Sequence, residues 1–506
     1  MALTDTRPDV SSSGQGPTTA VQSGTLERFL GSVDHKPVGR MFVGGGMLFV
    51  LAGLVLGLVA AFESADGSGF QIARDADEFT QLWSLSRDLT VFGGLVPILL
   101  GIGLYIVPLQ IGAPSLAFAR GASGAFWTWL LGSGLLVVAY LLNGGPGGGR
   151  RDFVVLWACA LAMMIGAVVW ASVVLATTVL GARTVGMTMD RVPFTSWAFF
   201  LFALQAIFSL PITMAELLYG VLNVRYLHLS IENSEALSAV VDGVSLAPSV
   251  FWLALPGLGI AADVIGAHTE IPVRQHRLVL AALTLFEILT FGADLVGLGS
   301  LRDLDFNNGL LVVGLLALPL PILAVLALSG NSLRQGRLKP RAALFGSLMA
   351  GMLALVAAGA NLLGLVEPIM GFLDNLFPDA IDMTATLVVD GTTFHEGIRA
   401  LIVGSALLAV ISGLYHWAPK FWGRTLPEPM GSLAVLLAAG GALVWAVGEI
   451  LAGIGDQPMY PVSAETSGSL QVFGWLSLLG IAGLVAAAAI VGAAVTGAAS
   501  SRKPAG

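Results

Sequence analysis

About twelve long apolar runs, each bounded by short polar or Gly/Pro-containing turns, leave this chain one class of fold. A bilayer-crossing helix needs about 20 mainly apolar residues. Backbone groups in lipid must bond within their own segment, so helices are the structure that such runs can form. The runs lie near 41–62, 86–109, 125–143, 153–180, 194–220, 246–268, 278–300, 308–329, 342–365, 388–414, 431–453 and 470–496, which predicts an all-α polytopic membrane protein of twelve spans. Composition agrees: the 506 residues are 56% hydrophobic and 11% charged, with a mean hydropathy of +0.85. So few charges could not cover a soluble globule of this size.

The organisation read along the chain is a Ser/Thr/Gly/Pro-rich tail over 1–30, a membrane domain over 31–496 and a short tail over 497–506. The first tail lacks the apolar core of a cleavable signal peptide and is expected to be disordered. Cys159, the single cysteine, sits in an apolar run, which excludes an intramolecular disulfide and predicts a small buried hydrophobe. Loops after the even-numbered spans carry Arg120, Arg183, Arg191, Arg274, Arg277, Arg334, Arg341, Lys420 and Arg424, whereas the opposite loops are rich in Asp and Glu. The asymmetry predicts a multi-pass protein of the cell membrane with both termini cytoplasmic. No phosphate loop, zinc-ligand spacing, nucleophile elbow or nucleic-acid-binding stripe occurs, and "NGGPGGGRR" reads as a loop between spans three and four.

Five stretches then fall into a familiar order: "VDHKPVG" before span one, "YIVPLQIGAPSLAFAR" closing span two, "RTVGMTMDRVPFTSWA" between spans four and five, "LALPGLGI" in span six and "HWAPKFWGR" after span ten. Together they resemble subunit I of the haem-copper oxidases, over roughly residues 30–496. The resemblance implies a twelve-helix bundle that binds two haems and a copper ion through six histidines, because imidazole holds iron and copper at neutral pH.

At the positions that match the family's ligands, the histidines are missing. Counting back from "YIVPLQ" places Ser86 where the first low-spin haem ligand stands. In span six, Ala247, Ser249 and Phe251 replace the copper-binding histidine, the relay glutamate and the cross-linked tyrosine. Ala293 and Asp294 fall on the paired histidines of span seven, and Gly397 and Arg399 on those of span ten. Ser115 replaces a proton-channel aspartate, Leu323 falls near the channel lysine, and "GDQPMY", around Asp456 and Gln457, replaces the arginines that hold haem propionates. No haem or copper is therefore expected. His395 alone lies near the old haem level, either as a single haem ligand or as a polar residue near a span end; His35 and His268 read as interfacial.

Glu216, Asp263, Glu287, Asp294 and Glu449 lie within spans, where an ionised group costs about 3 kcal/mol and so seeks a partner. Glu287 and Asp294 share a face of span seven, being two turns apart. The emptied centre is expected to hold a polar network of Glu287, Asp294, Arg399 and Asp88, with Arg399 paired to Asp294 or Asp88; separate contacts of each acid with water or backbone are the alternative. Phe251 and Phe291 are expected void fillers. Three functions follow: a non-catalytic scaffold or coupling subunit of a larger membrane complex, partnered by other membrane subunits; a conductor of protons or a small solute through the network; or an oxidase or haem protein with unorthodox ligands.

Overall fold

The structure, a computed structural model, describes residues 34–66, 71–146, 148–226, 249–297, 313–336, 340–366, 389, 391–459 and 470–500; side chains at 66, 223–225 and 292–297 are outside the description. The expected tail over 1–30, Ala247 and the acidic residues of 227–248 and 367–388 thus lie outside the described residues.

The long helices are α1 (His35–Asp66), α2 (Ala76–Ile111), α3 (Ala119–Leu141), α4 (Arg151–Gly181), α5 (Phe194–Tyr226), α6 (Leu255–Thr269), α7 (His276–Gly297), α8 (Pro319–Gln335), α9 (Ala342–Asn361), α10 (Phe394–Trp422), α11 (Glu428–Ile454) and α12 (Gln471–Ser500). Among the described residues the other pairing is an isolated bridge, Thr392 with Pro458. Among the described residues eleven helices are long and apolar enough to cross a membrane; α7, the counterpart of span seven, whose side chains are described only to residue 291, is not among them.

Neighbours in sequence pack as neighbours in space, and α12 returns to lie against α1. The apolar windows of α2 and α10 are buried along their whole length. These two central helices carry the site.

The α1–α2 seam is set by small residues repeating every seven positions. A Cβ at Gly39 would lie 2.7 Å from the Gly101 carbonyl oxygen, one at Gly46 2.9 Å from that of Gly94, and one at Gly53 2.5 Å from Thr90 Oγ1. Only glycine permits such backbone contact, and contact of this kind drives helix association in lipid. Within this seam α2 widens into a π turn at Leu89–Leu95. Pro97, just beyond it, has no N–H and crowds the carbonyl four residues earlier. The opened turn leaves the Phe92 carbonyl free to accept the buried Trp129 indole N–H at 3.0 Å.

Three of the five motifs meet where α1 begins and α2 and α10 end. The Tyr105 ring stacks on Phe421 at 4.0 Å and its hydroxyl donates to the Lys420 carbonyl. Buried His35 approaches Tyr105 edge-on at 6.3 Å, and Arg40 lies over the same ring at 5.7 Å. The remaining two motifs meet beside them, where the Thr195 hydroxyl donates to the Gly259 carbonyl at 3.3 Å; Asp263, three residues past the span-six motif, accepts the Thr195 backbone N–H at 2.9 Å and a proton of the Gln110 amide at 3.3 Å, which caps the start of α5.

Several expectations are corrected here. Cys159 is exposed on the outside of α4, not buried. His268, in the last turn of α6, is buried against protein: its Nδ1 lies 2.9 Å from the Val264 carbonyl oxygen and its ring 5.3 Å from that of His416. The reason is that α10 runs to Trp422, past the expected end at 414, and covers it. Phe251 is fully buried as expected, whereas Phe291 is half-buried and lies 6.1 Å from Phe208.

Candidate functional site

At the opposite end of the bundle, a water-accessible cavity of about 90 Å³ lies among α1, α2, α10, α11 and α12. Helix α2 reaches it because Asp75 caps the N-terminus by accepting the Glu78 N–H at 2.9 Å, so the polar stretch Ala76–Asp88 is helical and buries one face. That face presents Trp83, Ser86, Arg87 and Thr90 to the cavity; the first turns of α10 present Glu396 and Arg399. Trp445 and Glu449 come from α11, and Ser477 from α12.

Glu396 is the hub. Arg399, one turn on, donates through Nη1 to Glu396 Oε1, and Arg87 Nη2 from α2 lies 3.6 Å from Oε2. All three side chains are buried. Each guanidinium is also covered by an indole: Arg87 lies 4.1 Å from the Trp83 ring centroid and Arg399 5.9 Å from that of Trp445. Half-buried Glu449 shares the cavity, with the Ser477 and Trp445 side chains as hydrogen-bond neighbours. Two arginines thus share one buried carboxylate, with a second carboxyl group close by, where an isolated charge would be expelled.

The expected network is brought together only in part. Arg399 is in it, paired with Glu396 on its own helix. Asp88 faces α3 and α4, where its Oδ2 accepts from the Tyr140 hydroxyl at 3.0 Å and the Trp157 indole at 3.4 Å. Glu287 is buried on α7 but does not line the cavity, and the Asp294 side chain lies outside the described residues. Glu396 and the two tryptophans were missed in the sequence. The three-residue spacing of Glu396 and Arg399 and the four-residue spacing of Trp83 and Arg87 place each pair on one helical face.

Ser86 and Arg399, the two positions matching low-spin haem ligands, do line the same cavity from α2 and α10. Their chemistry does not suit haem iron. The Ser86 hydroxyl donates to the Trp83 carbonyl at 2.8 Å, and a guanidinium that stays protonated has no lone pair for iron. None of the His, Cys, Met or Tyr side chains that hold haem iron lines the cavity. Its 90 Å³ amounts to about three waters at their share of liquid volume, against about 300–1,000 Å³ for pockets that take larger organic ligands. A haem does not fit these residues.

The other vacated positions behave similarly where they are described. A Cβ at Gly397 would lie 2.6 Å from Ile450 Cγ1 and 2.9 Å from the Ala446 carbonyl oxygen, which leaves no room for an imidazole. Phe251 is buried beside Trp252, whose ring stacks on Phe202 at 4.7 Å. The side chain of Ala293, like that of Asp294, is outside the described residues. His395 is half-buried, with its ring 5.6 Å from Phe394, and does not line the cavity. Where propionate-holding arginines are implied, the Gln457 carbonyl accepts the Thr393 N–H at 3.0 Å and the Gly391 carbonyl accepts the Met459 N–H at 2.8 Å.

Comparison with known proteins accounts for the frame. The family model described as cytochrome c and quinol oxidase polypeptide I matches residues 37–483. The protein named cytochrome c oxidase subunit 1 of Corynebacterium diphtheriae is 26% identical over 454 residues, covering 82% of this chain and 74% of that one. One from Streptomyces avermitilis, named "Putative cytochrome c oxidase subunit 1-beta", is 26% identical over 436 residues, covering 80% and 72%. By its five motifs, its bundle of apolar helices and this match, the chain belongs to the cytochrome c and quinol oxidase polypeptide I family.

Proposed function

We propose that this member of the family has lost the redox centre and works as a non-catalytic scaffold or coupling subunit of a larger membrane complex. The observation that carries the reading is the cavity in which Ser86 and Arg399 stand at the low-spin ligand positions while Glu396 binds Arg87 and Arg399 together. Oxygen reduction needs iron and copper held by the protein, and a fold does not carry an activity without its site. The bundle retains what a subunit needs: a rigid frame, whose outer faces carry apolar side chains such as Leu48, Leu131 and Leu436. The proposed setting is the cell membrane, with both termini cytoplasmic, no bound haem or copper, and other membrane subunits as partners.

Isolation from native membranes in a mild detergent, with mass spectrometry of what co-purifies, tests the role. Stoichiometric membrane partners are expected; an isolated monomer with oxygen-consuming activity would overturn it. The cavity also favours a second reading, because it places two carboxyl groups beside room for water: a proton conductor. Proton flux into proteoliposomes that Glu396→Gln abolishes would establish the conductor and displace the scaffold.

A further inference from the structure

Loops at the motif end of the bundle form a feature that neither reading uses. An open groove of about 570 Å³ lies between the α4–α5 and α6–α7 connections, lined by Asp190, Arg191, Arg274, Gln275, His276, Arg277 and Leu278. We propose that it binds the phosphate headgroup of an anionic phospholipid whose acyl chains run along the outward face of α7.

The charge count favours an anion. Arg277 Nη2 lies 2.7 Å from Asp190 Oδ2, which neutralises one cation. The exposed guanidiniums of Arg191 and Arg274 make no ion pair among the described residues, so the groove keeps a surplus of two positive charges. Its walls are held in place. The ring of His276 stacks on Phe194 at 4.4 Å and its Nε2 lies 3.0 Å from the Val192 carbonyl oxygen, and Arg183 donates to the carbonyls of Val179 and Met187.

Depth selects a lipid over a soluble anion. Helices α5 and α7 begin at Phe194 and His276, so the groove sits where the apolar segments end, at the level of headgroups. Basic pockets at this level recognise anionic headgroups. Leu278 belongs both to the groove and to an outward stripe with Leu285 and Ile288, all exposed and spaced seven and ten residues along α7. A headgroup in the groove therefore has an apolar track directly below it.

The test is titration of the purified full-length protein with short-chain phosphatidylglycerol, read by native mass spectrometry. One tight site is expected. Charge near a membrane surface contributes about a factor of five per basic residue, so R191Q/R274Q should weaken that site about 25-fold, whereas Arg120→Gln, in the first turn of α3 at the same end, should leave it unchanged. Phosphatidylcholine of the same chain length should not occupy it. Equal weakening by Arg120→Gln, equal binding of phosphatidylcholine, or displacement by inorganic phosphate at matched concentration would each overturn the proposal. Unchanged melting temperatures for both variants keep a loss of binding distinct from a loss of fold.

Discussion

The two ends of the bundle have diverged in opposite ways. At one, the motifs that carry the family resemblance interlock: Tyr105 on Phe421 and Lys420, His35 on Tyr105, Thr195 on Gly259, with neighbouring Arg40 and Asp263 joining them. At the other, the two positions matching low-spin haem ligands are Ser86 and Arg399, which line a cavity with room for about three waters. The motifs fix helix entry, stacking and capping, which any member of the fold needs. The positions matching low-spin haem ligands lie apart from these motifs, so recognising the frame does not by itself carry an activity.

The sharpest way to break the comparison is at the hub. Glu396→Ala removes the carboxylate between Arg87 and Arg399 and strands buried cations, so it should cost about 3–5 kcal/mol, measured as a lowered unfolding midpoint in detergent. No loss would mean that the charged end is as tolerant as a surface. Next is the α1–α2 seam. A Cβ at Gly46 would lie 2.5 Å from Ile98 Cγ1, and Gly46→Ala should cost about 1–3 kcal/mol by overpacking, in the same assay.

A smaller effect is expected at the motif end. Tyr105→Phe keeps the stack on Phe421 but deletes the hydrogen bond to Lys420, a loss of about 1 kcal/mol; a loss as large as that of Glu396→Ala would erase the contrast between the ends. The smallest concerns Asp190, whose carboxyl lies below its ordinary range because Thr188 and then Arg277 donate to it. A carboxyl lowered on folding supports the fold above its unfolded pKa and loses that support as pH falls through the lowered one. Hydrogen-exchange protection of residues 188–192 should therefore hold at neutral pH and decline only below the ordinary carboxylate range.

Much of the frame was legible in the sequence, because apolar runs and collinear motifs report it directly. The boundaries that matter most were not. Helix α2 starts at Ala76 instead of near 86, and a hydropathy reading stops at its polar first half, where Arg87 and Asp88 are buried. The Asp75 cap was the readable sign. Partner choice was harder. Arg87 turns to Glu396 while Asp88, its neighbour, turns to Tyr140, and the π turn that follows breaks the 3.6-residue period by which faces are assigned. Glu396 itself was readable beside Arg399, but only its structure shows that a second arginine from α2 shares it.

The central claim is that the low-spin haem site has become an ion-paired cluster. Its most direct test is the haem and copper content per polypeptide of the protein purified from its own membrane, with a reduced-minus-oxidised spectrum of the same sample. Neither metal in stoichiometric amount and a featureless difference spectrum are predicted. One haem or one copper per chain would contradict the account.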